Sequence, residues 1–181
     1  MRLVFGLTLI ILILSTGCSK DEATEDNGII LIEDLLVENN EITGWTYSGT
    51  GWVAYNITEL TTYINGLAEL YQRHGFVEGA HQSYDGSIDD GTRTLNITVY
   101  NMGTESNASD TYDDPEIGPT GATDWADGAG DRAHYVRYGG LSQILTFHRG
   151  PYFIYIDINY DSDESLNILM QFALNIDGKI Q

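Results

Sequence analysis

Asn65, Gly66, Glu69 and Arg73 recur at three- and four-residue intervals, so on a helix they share one exposed side. An amide, bare backbone, a carboxylate and a guanidinium grouped in this way can hold a polar ligand. The same four can instead tie a helix to a neighbouring loop. A second arrangement, Asp157-Ile158-Asn159-Tyr160-Asp161-Ser162-Asp163-Glu164, sets oxygen donors at alternate positions, as calcium loops do. It lacks the sixth-position glycine and the distal bidentate acid of an EF-hand. Asp157, Asn159, Asp161 and Asp163 are therefore weak candidates for Ca2+, and no other cofactor is evident. His74, His81, His134 and His148 show neither HExxH nor paired spacing, and no GxSxG, Walker or Rossmann pattern is present. No catalytic residue can be assigned. Twelve tyrosines and three tryptophans offer a stacking platform for sugars or peptides, although such residues more often fill cores and sheet faces.

The elements that must position these groups are legible in the pattern. Asn56-Ile57-Thr58-Glu59 fits a capping box. Ile57, Leu60, Ile64, Leu67 and Tyr71 then give one apolar face, and Gly75 is placed to end the helix. Gly66 in its middle costs roughly 1 kcal/mol relative to Ala, which predicts a close backbone contact or a ligand there. A terminal helix starts at Asp161-Ser162-Asp163-Glu164, with Asp161 as its cap, and carries Leu166, Leu169, Met170, Ala173 and Leu174 on one face. Residues 45–56 read as a strand or hairpin bulged around Gly49 and Gly51. Residues 77–84 and 92–102 alternate as a hairpin across a turn-rich loop, 104–112 suit a short polar helix, and 133–138, 141–148 and 152–159 form a meander. Segment 28–37 is apolar enough to be a strand or a short helix on the domain edge. The 113–131 stretch, with Pro115, Pro119 and several acids, is too long for an ordinary connection, which predicts a functional or mobile loop. The sum is an α+β domain: an antiparallel sheet of five to seven strands with two main helices packed on one face.

Charge limits the partners. The chain has 27 acids against 8 bases, a formal charge of -19. Such a surface repels phosphate backbones, which excludes nucleic acid and favours cations and basic partners. At the N-terminus Arg2 precedes an apolar run over residues 3–14 and then Ser15-Thr16-Gly17-Cys18. The run is short of the roughly 18 to 20 residues that a permanent span needs, so it reads as a cleavable signal. An ordinary secretory signal or an uncleaved anchor would leave a lone thiol unexplained.

The residues before Cys18 resemble the lipobox of bacterial lipoproteins, in which the signal is cut before the cysteine and its sulfur is lipidated. Leu14 lies one place further from Cys18 than the usual leucine, with Ser15 in that slot. Ser19-Lys20-Asp21-Glu22 is similar to the export tag of surface-exposed lipoproteins. These resemblances imply residues 1–17 as signal, 18–43 as lipidated cysteine with tether and edge segment, and 44–181 as one domain. They also imply membrane attachment through lipid at the outer membrane, possible surface exposure included.

Tyr63-Ile64-Asn65-Gly66-Leu67-Ala68-Glu69-Leu70-Tyr71, followed by Gly75-Phe76, resembles the Tyr-Ile-Asn-Gly-Gly-Ala-Glu-Leu-Tyr helix of an uncharacterised family of exported bacterial proteins of unknown function. Val99-Tyr100-Asn101-Met102-Gly103 is similar to that family's strand ending in Tyr-Asp-Met-Gly. The chain departs at Leu67, where the family has a second glycine, and at Asn101, where it has Asp. The resemblance implies an exported location and a shared fold, and it supplies no reaction. The expectation is a lipid-anchored extracytoplasmic binding or interaction module for a saccharide, peptide or cation. The alternatives are an envelope hydrolase with acids around Glu69 and the 113–131 loop, or a structural subunit of an envelope complex.

Overall fold

The computed structural model describes residues 30–180. Cys18 and the expected signal lie outside them. Seven strands form one antiparallel sheet: β1 (Thr46–Ala54), β2 (Glu78–Ile88), β3 (Gly91–Asn101), β4 (Thr123–Asp124), β5 (Arg132–Arg137), β6 (Gln143–Arg149) and β7 (Tyr152–Ile158), in the order β1-β2-β3-β7-β6-β5-β4. The expected α+β class and strand number hold. The expected bulge in the first strand falls between Ser48 and Trp52. The hairpin is longer than its sequence suggests, because pairing runs through to Ile88 and Gly91 and leaves a two-residue turn. Asp89 and Asp90 both take positive φ there, 49° and 59°, which is what a type I′ turn matched to strand twist requires.

The helices do not share one face. On β3, Leu95, Ile97 and Val99 alternate with Thr94, Asn96, Thr98 and Tyr100, and period 2 sends the two sets to opposite sides. The first set, with Phe147, Ile154, Ile156 and Ile158, meets Leu169, Phe172, Ala173 and Ile176 of the terminal helix α4 (Asp163–Ile180). Tyr100 and Phe153 point the other way, into a smaller core with Leu60, Tyr71, Ala108 and Tyr112. Those four come from α1 (Ile57–Ile64), α2 (Ala68–Arg73) and α3 (Glu105–Asp113). Central strands apolar on both sides need cover on both, which corrects the one-face expectation.

Three local readings also change. The first predicted helix breaks: one 3-10 turn, Asn65–Leu67, separates α1 from α2. The break turns Leu67 outward to 59% exposure and buries Ala68 in its place. In α4 the cap is Ser162, whose Oγ accepts from the Ser165 amide at 3.1 Å, and Leu174 faces solvent while Phe172 and Ile176 fill the core. Segment 30–37 makes a 3-10 turn, Ile32–Leu35, and buries Ile32, Leu35 and Val37 in the larger core. Tyr84 fixes it by donating to the Val37 carbonyl at 2.6 Å, so the folded body begins upstream of Gly44. Among the described residues no helix is long and apolar enough to cross a membrane.

Candidate functional site

The helices of the smaller core cover only one end of their sheet face. At the other end the sequence places hydroxyls, amides and acids where a covered face would carry apolar side chains. Cross-strand register sets Ser48, Ser83, Asn96 and Asp157 in one row and Trp52, His81, Thr98, Tyr155 and Thr146 in the next. The rows are wired together. Ser83 Oγ donates to Asn96 Oδ1 at 2.7 Å, and Asn96 Nδ2 donates to Asp157 Oδ2 at 3.0 Å. His81 Nδ1 lies 3.0 Å from Thr98 Oγ1 and its Nε2 lies 3.3 Å from Ser83 Oγ. Since the single Ser83 proton goes to Asn96, His81 Nε2 is the donor to Ser83, and Nδ1 accepts from Thr98. Burial pushes the His81 imidazole below its ordinary value, in keeping with this neutral form.

Two acids on this face fare differently. Asp85 has both oxygens satisfied, by Ser48 at 2.8 Å and Thr94 at 2.6 Å. Asp157 receives only the Asn96 amide among the described residues. Burial raises its carboxyl above the ordinary value and the Asn96 bond only partly offsets this. Asp157 borders a cleft of about 350 Å3 whose other walls are Tyr71, Thr98, Tyr100, Tyr155, Leu67, Leu70 and the Glu116-Ile117 turn. Tyr71 stacks on Tyr100 with centroids 4.1 Å apart, and burial pushes the Tyr100 hydroxyl up to about 12. These phenols stay protonated and neutral in the working range.

Asn65, Gly66, Glu69 and Arg73, singled out from sequence, do not line this cleft. Asn65 and Glu69 are exposed, and a Cβ at Gly66 would meet nothing within 4 Å, so no close backbone contact requires that glycine. The strained position is Asn65, at φ 51° and ψ -131°, where the helix breaks. Arg73 alone acts on the cleft, and indirectly. Its Nη2 donates to Asp114 at 2.7 Å and Glu116 at 2.6 Å, while His74 Nε2 lies 2.7 Å from Asp114. That clasp sets the 114–118 turn over the cleft beside α2.

Of the four calcium candidates, Asp161 and Asp163 share Arg137, whereas Asp157 lies at the cleft. Asn159 is exposed. Asp161 accepts from the Gly140 amide, Gln143 and Arg137, which hold its carboxyl below the ordinary value. Asp163 accepts from Arg137 at 2.6 Å. Asp161 is therefore a brace between the β5–β6 turn and α4 and not the expected helix cap. Among the described residues no three His, Cys, Asp or Glu side chains converge as a metal centre would need. Trp45 is core, edge-on to Phe172, and Trp52 is sandwiched between Tyr63 and His81 at 4.8 and 5.4 Å.

The 113–131 loop is built in part around its own residues: β4 pairs with β5, the Trp125 amide donates to Ala133, and Arg132 reaches Asp113 at 2.8 Å. A hollow of about 400 Å3 lies within its 124–133 part. That hollow is walled by three acids, Arg132, Trp125, Tyr112 of α3 and small residues of the loop, whereas the Asp157 cleft joins two central strands, a helix and a turn. Beneath α3, His134 Nε2, Thr146 Oγ1 and both His148 nitrogens are buried without a hydrogen-bond partner among the described residues, with Asp131 Oδ2 3.8 Å from His148 Nδ1. Tyr112 packs on both imidazoles, at 4.3 and 5.3 Å.

The sequence reading missed Asn96, Thr98 and Tyr155. Their alternation with Leu95, Ile97 and Ile156 looks like an ordinary wet strand face, and only the central position of β3 and β7 makes it unusual. Comparison with family models, curated proteins and solved structures finds no match for this chain.

Proposed function

We propose that the chain is a lipid-anchored extracytoplasmic binding module, held at the outer membrane through Cys18, that takes a polar ligand in the cleft around Asp157. One observation carries the ligand site: a largely buried carboxylate, singly hydrogen-bonded, on the border of a cleft on central strands. A group placed where burial opposes its charge costs stability, and such groups gather at functional sites. The other carboxylate in the cleft, Glu116, is already held by Arg73, which favours binding over two-carboxylate hydrolysis. The signal pattern with the lipobox-like Ser15-Thr16-Gly17-Cys18 supports export and anchoring, as does the resemblance of residues 63–71 to exported proteins.

A thermal-shift screen of wild type and Asp157→Asn against saccharides, amines and short peptides tests the binding half. A hit at a hundredfold excess over Kd stabilises by about 2.7 kcal/mol, and Asp157→Asn should lose the shift. A hit that Asp157→Asn keeps in full places the site elsewhere. Metabolic labelling with an alkynyl fatty acid tests the anchor: the wild type takes label and Cys18→Ser takes none and leaves the membrane fraction. Continued membrane attachment of Cys18→Ser would contradict it.

A further inference from the structure

We propose that the group recognised in the cleft is a protonated organic amine on a short apolar stem, such as a lysyl side chain or a free diamine, with Asp157 as its counter-ion. This rests on the cleft being the ligand site. The lining holds two carboxylates, Asp157 and Glu116, and neither lysine nor arginine. Glu116 is already paired with Arg73, which leaves Asp157 as the charge without a counter-ion.

The hydrogen-bond wiring sets the polarity of what must bind. Asn96 Oδ1 accepts from Ser83, which turns its Nδ2 donor toward Asp157 Oδ2. Asp157 therefore presents acceptor lone pairs to the cleft, and its partner has to be a donor. A cation is the donor that also answers the cost of burying the charge. Tyr71, Tyr100 and Tyr155 line the cleft, Tyr71 and Tyr100 stacked on each other with centroids 4.1 Å apart, and an aromatic face such as that of Tyr155 attracts an ammonium group. Leu67, turned outward by the helix break, joins Leu70 and Ile117 in an apolar edge for methylenes. The cleft offers a hard metal ion one uncommitted carboxylate, where such ions prefer several oxygen ligands. A neutral sugar would leave the Asp157 charge uncompensated. The whole-chain charge of -19 draws amines toward the surface before the cleft selects among them.

Calorimetric titration of the full-length protein in detergent tests this with 1,5-diaminopentane, a Gly-Lys-Gly peptide, Gly-Lys-Gly acetylated at the lysine Nζ, and N-acetylglucosamine. At least one amine should bind, and acetylation should weaken the peptide at least tenfold. A preference for the diamine or the peptide distinguishes a free amine from a protein side chain. Asp157→Asn and Tyr155→Leu should each weaken the amine at least tenfold, with melting curves confirming that both fold. The exposed Glu164→Gln, on α4, should leave it unchanged. Equal weakening by Asp157→Asn and Glu164→Gln would mean general attraction to an acidic surface and would overturn the inference. Asp157-dependent binding of N-acetylglucosamine without amine binding would overturn it too, while leaving the cleft as the ligand site. Binding of nothing in an Asp157-dependent way would remove both.

Discussion

At the residue scale Asp157 is a cost that the fold carries. Its folded carboxyl sits above the unfolded value of 3.8, so the native state holds a proton more tightly than the unfolded chain does. Stability from this group is present at low pH and falls as pH rises from about 3.8 through the raised folded value. Asp157→Asn keeps an acceptor for Asn96 and removes the charge. It should therefore raise Tm at pH 7 while lowering ligand affinity, at roughly 2–4 °C for each kcal/mol gained in a domain of this size. A lowered Tm in a two-state thermal melt would assign Asp157 a structural role. The sequence could not rank Asp157 above the other acids of residues 157–164, because its distinction lies in what surrounds it. Asp161 has several donors, whereas Asp157 has one.

At the element scale the break between α1 and α2 shapes the cleft wall. Helical periodicity was legible from Ile57 to Tyr71, and so were both ends. The Asn56 side chain accepts from the Glu59 amide at 3.0 Å. The Gly75 and Phe76 amides return to Gln72 and Tyr71 at 3.1 and 3.2 Å, as in a Schellman cap. The break was not legible, since it needs a non-glycine residue in a conformation that glycine tolerates far better. Asn65→Gly should stabilise by about 1 kcal/mol in urea titration, and Gly66→Ala should not destabilise, since no atom lies near its added methyl. A loss from Gly66→Ala above about 1 kcal/mol would restore the close contact that sequence suggests. Which sheet face each helix covers was equally hidden. Alternation separates two faces of a strand but does not say that the polar one is half covered.

At the scale of the whole molecule, acidity and buried histidines set the pH response. Burial pushes His81, His134 and His148 below the ordinary imidazole value of 6.5, with Asp124 opposing this at His134 and Asp131 at His148. Their folded values are depressed, so the unfolded chain takes protons more readily. The stability they contribute is present above about 6.5 and is lost as pH falls through the depressed folded values. Tm should fall between pH 7 and pH 5, and His148→Gln should flatten that slope; an unchanged slope would mean that these imidazoles are already solvated. Composition made the acidic surface legible, and turn chemistry made the hairpin and meander legible. The cleft was not, because it depends on β7 pairing with β3 after a crossover of about fifty residues.

The most direct test of the central claim is backbone amide mapping by NMR, titrating labelled protein with 1,5-diaminopentane and, separately, with N-acetylglucosamine. The account predicts that one of them shifts Thr98, Tyr100, Tyr155 and Asp157 together with Leu70 and Tyr71. Shifts confined to Asn65, Gly66 and Glu69, or to the 124–133 loop, would contradict it.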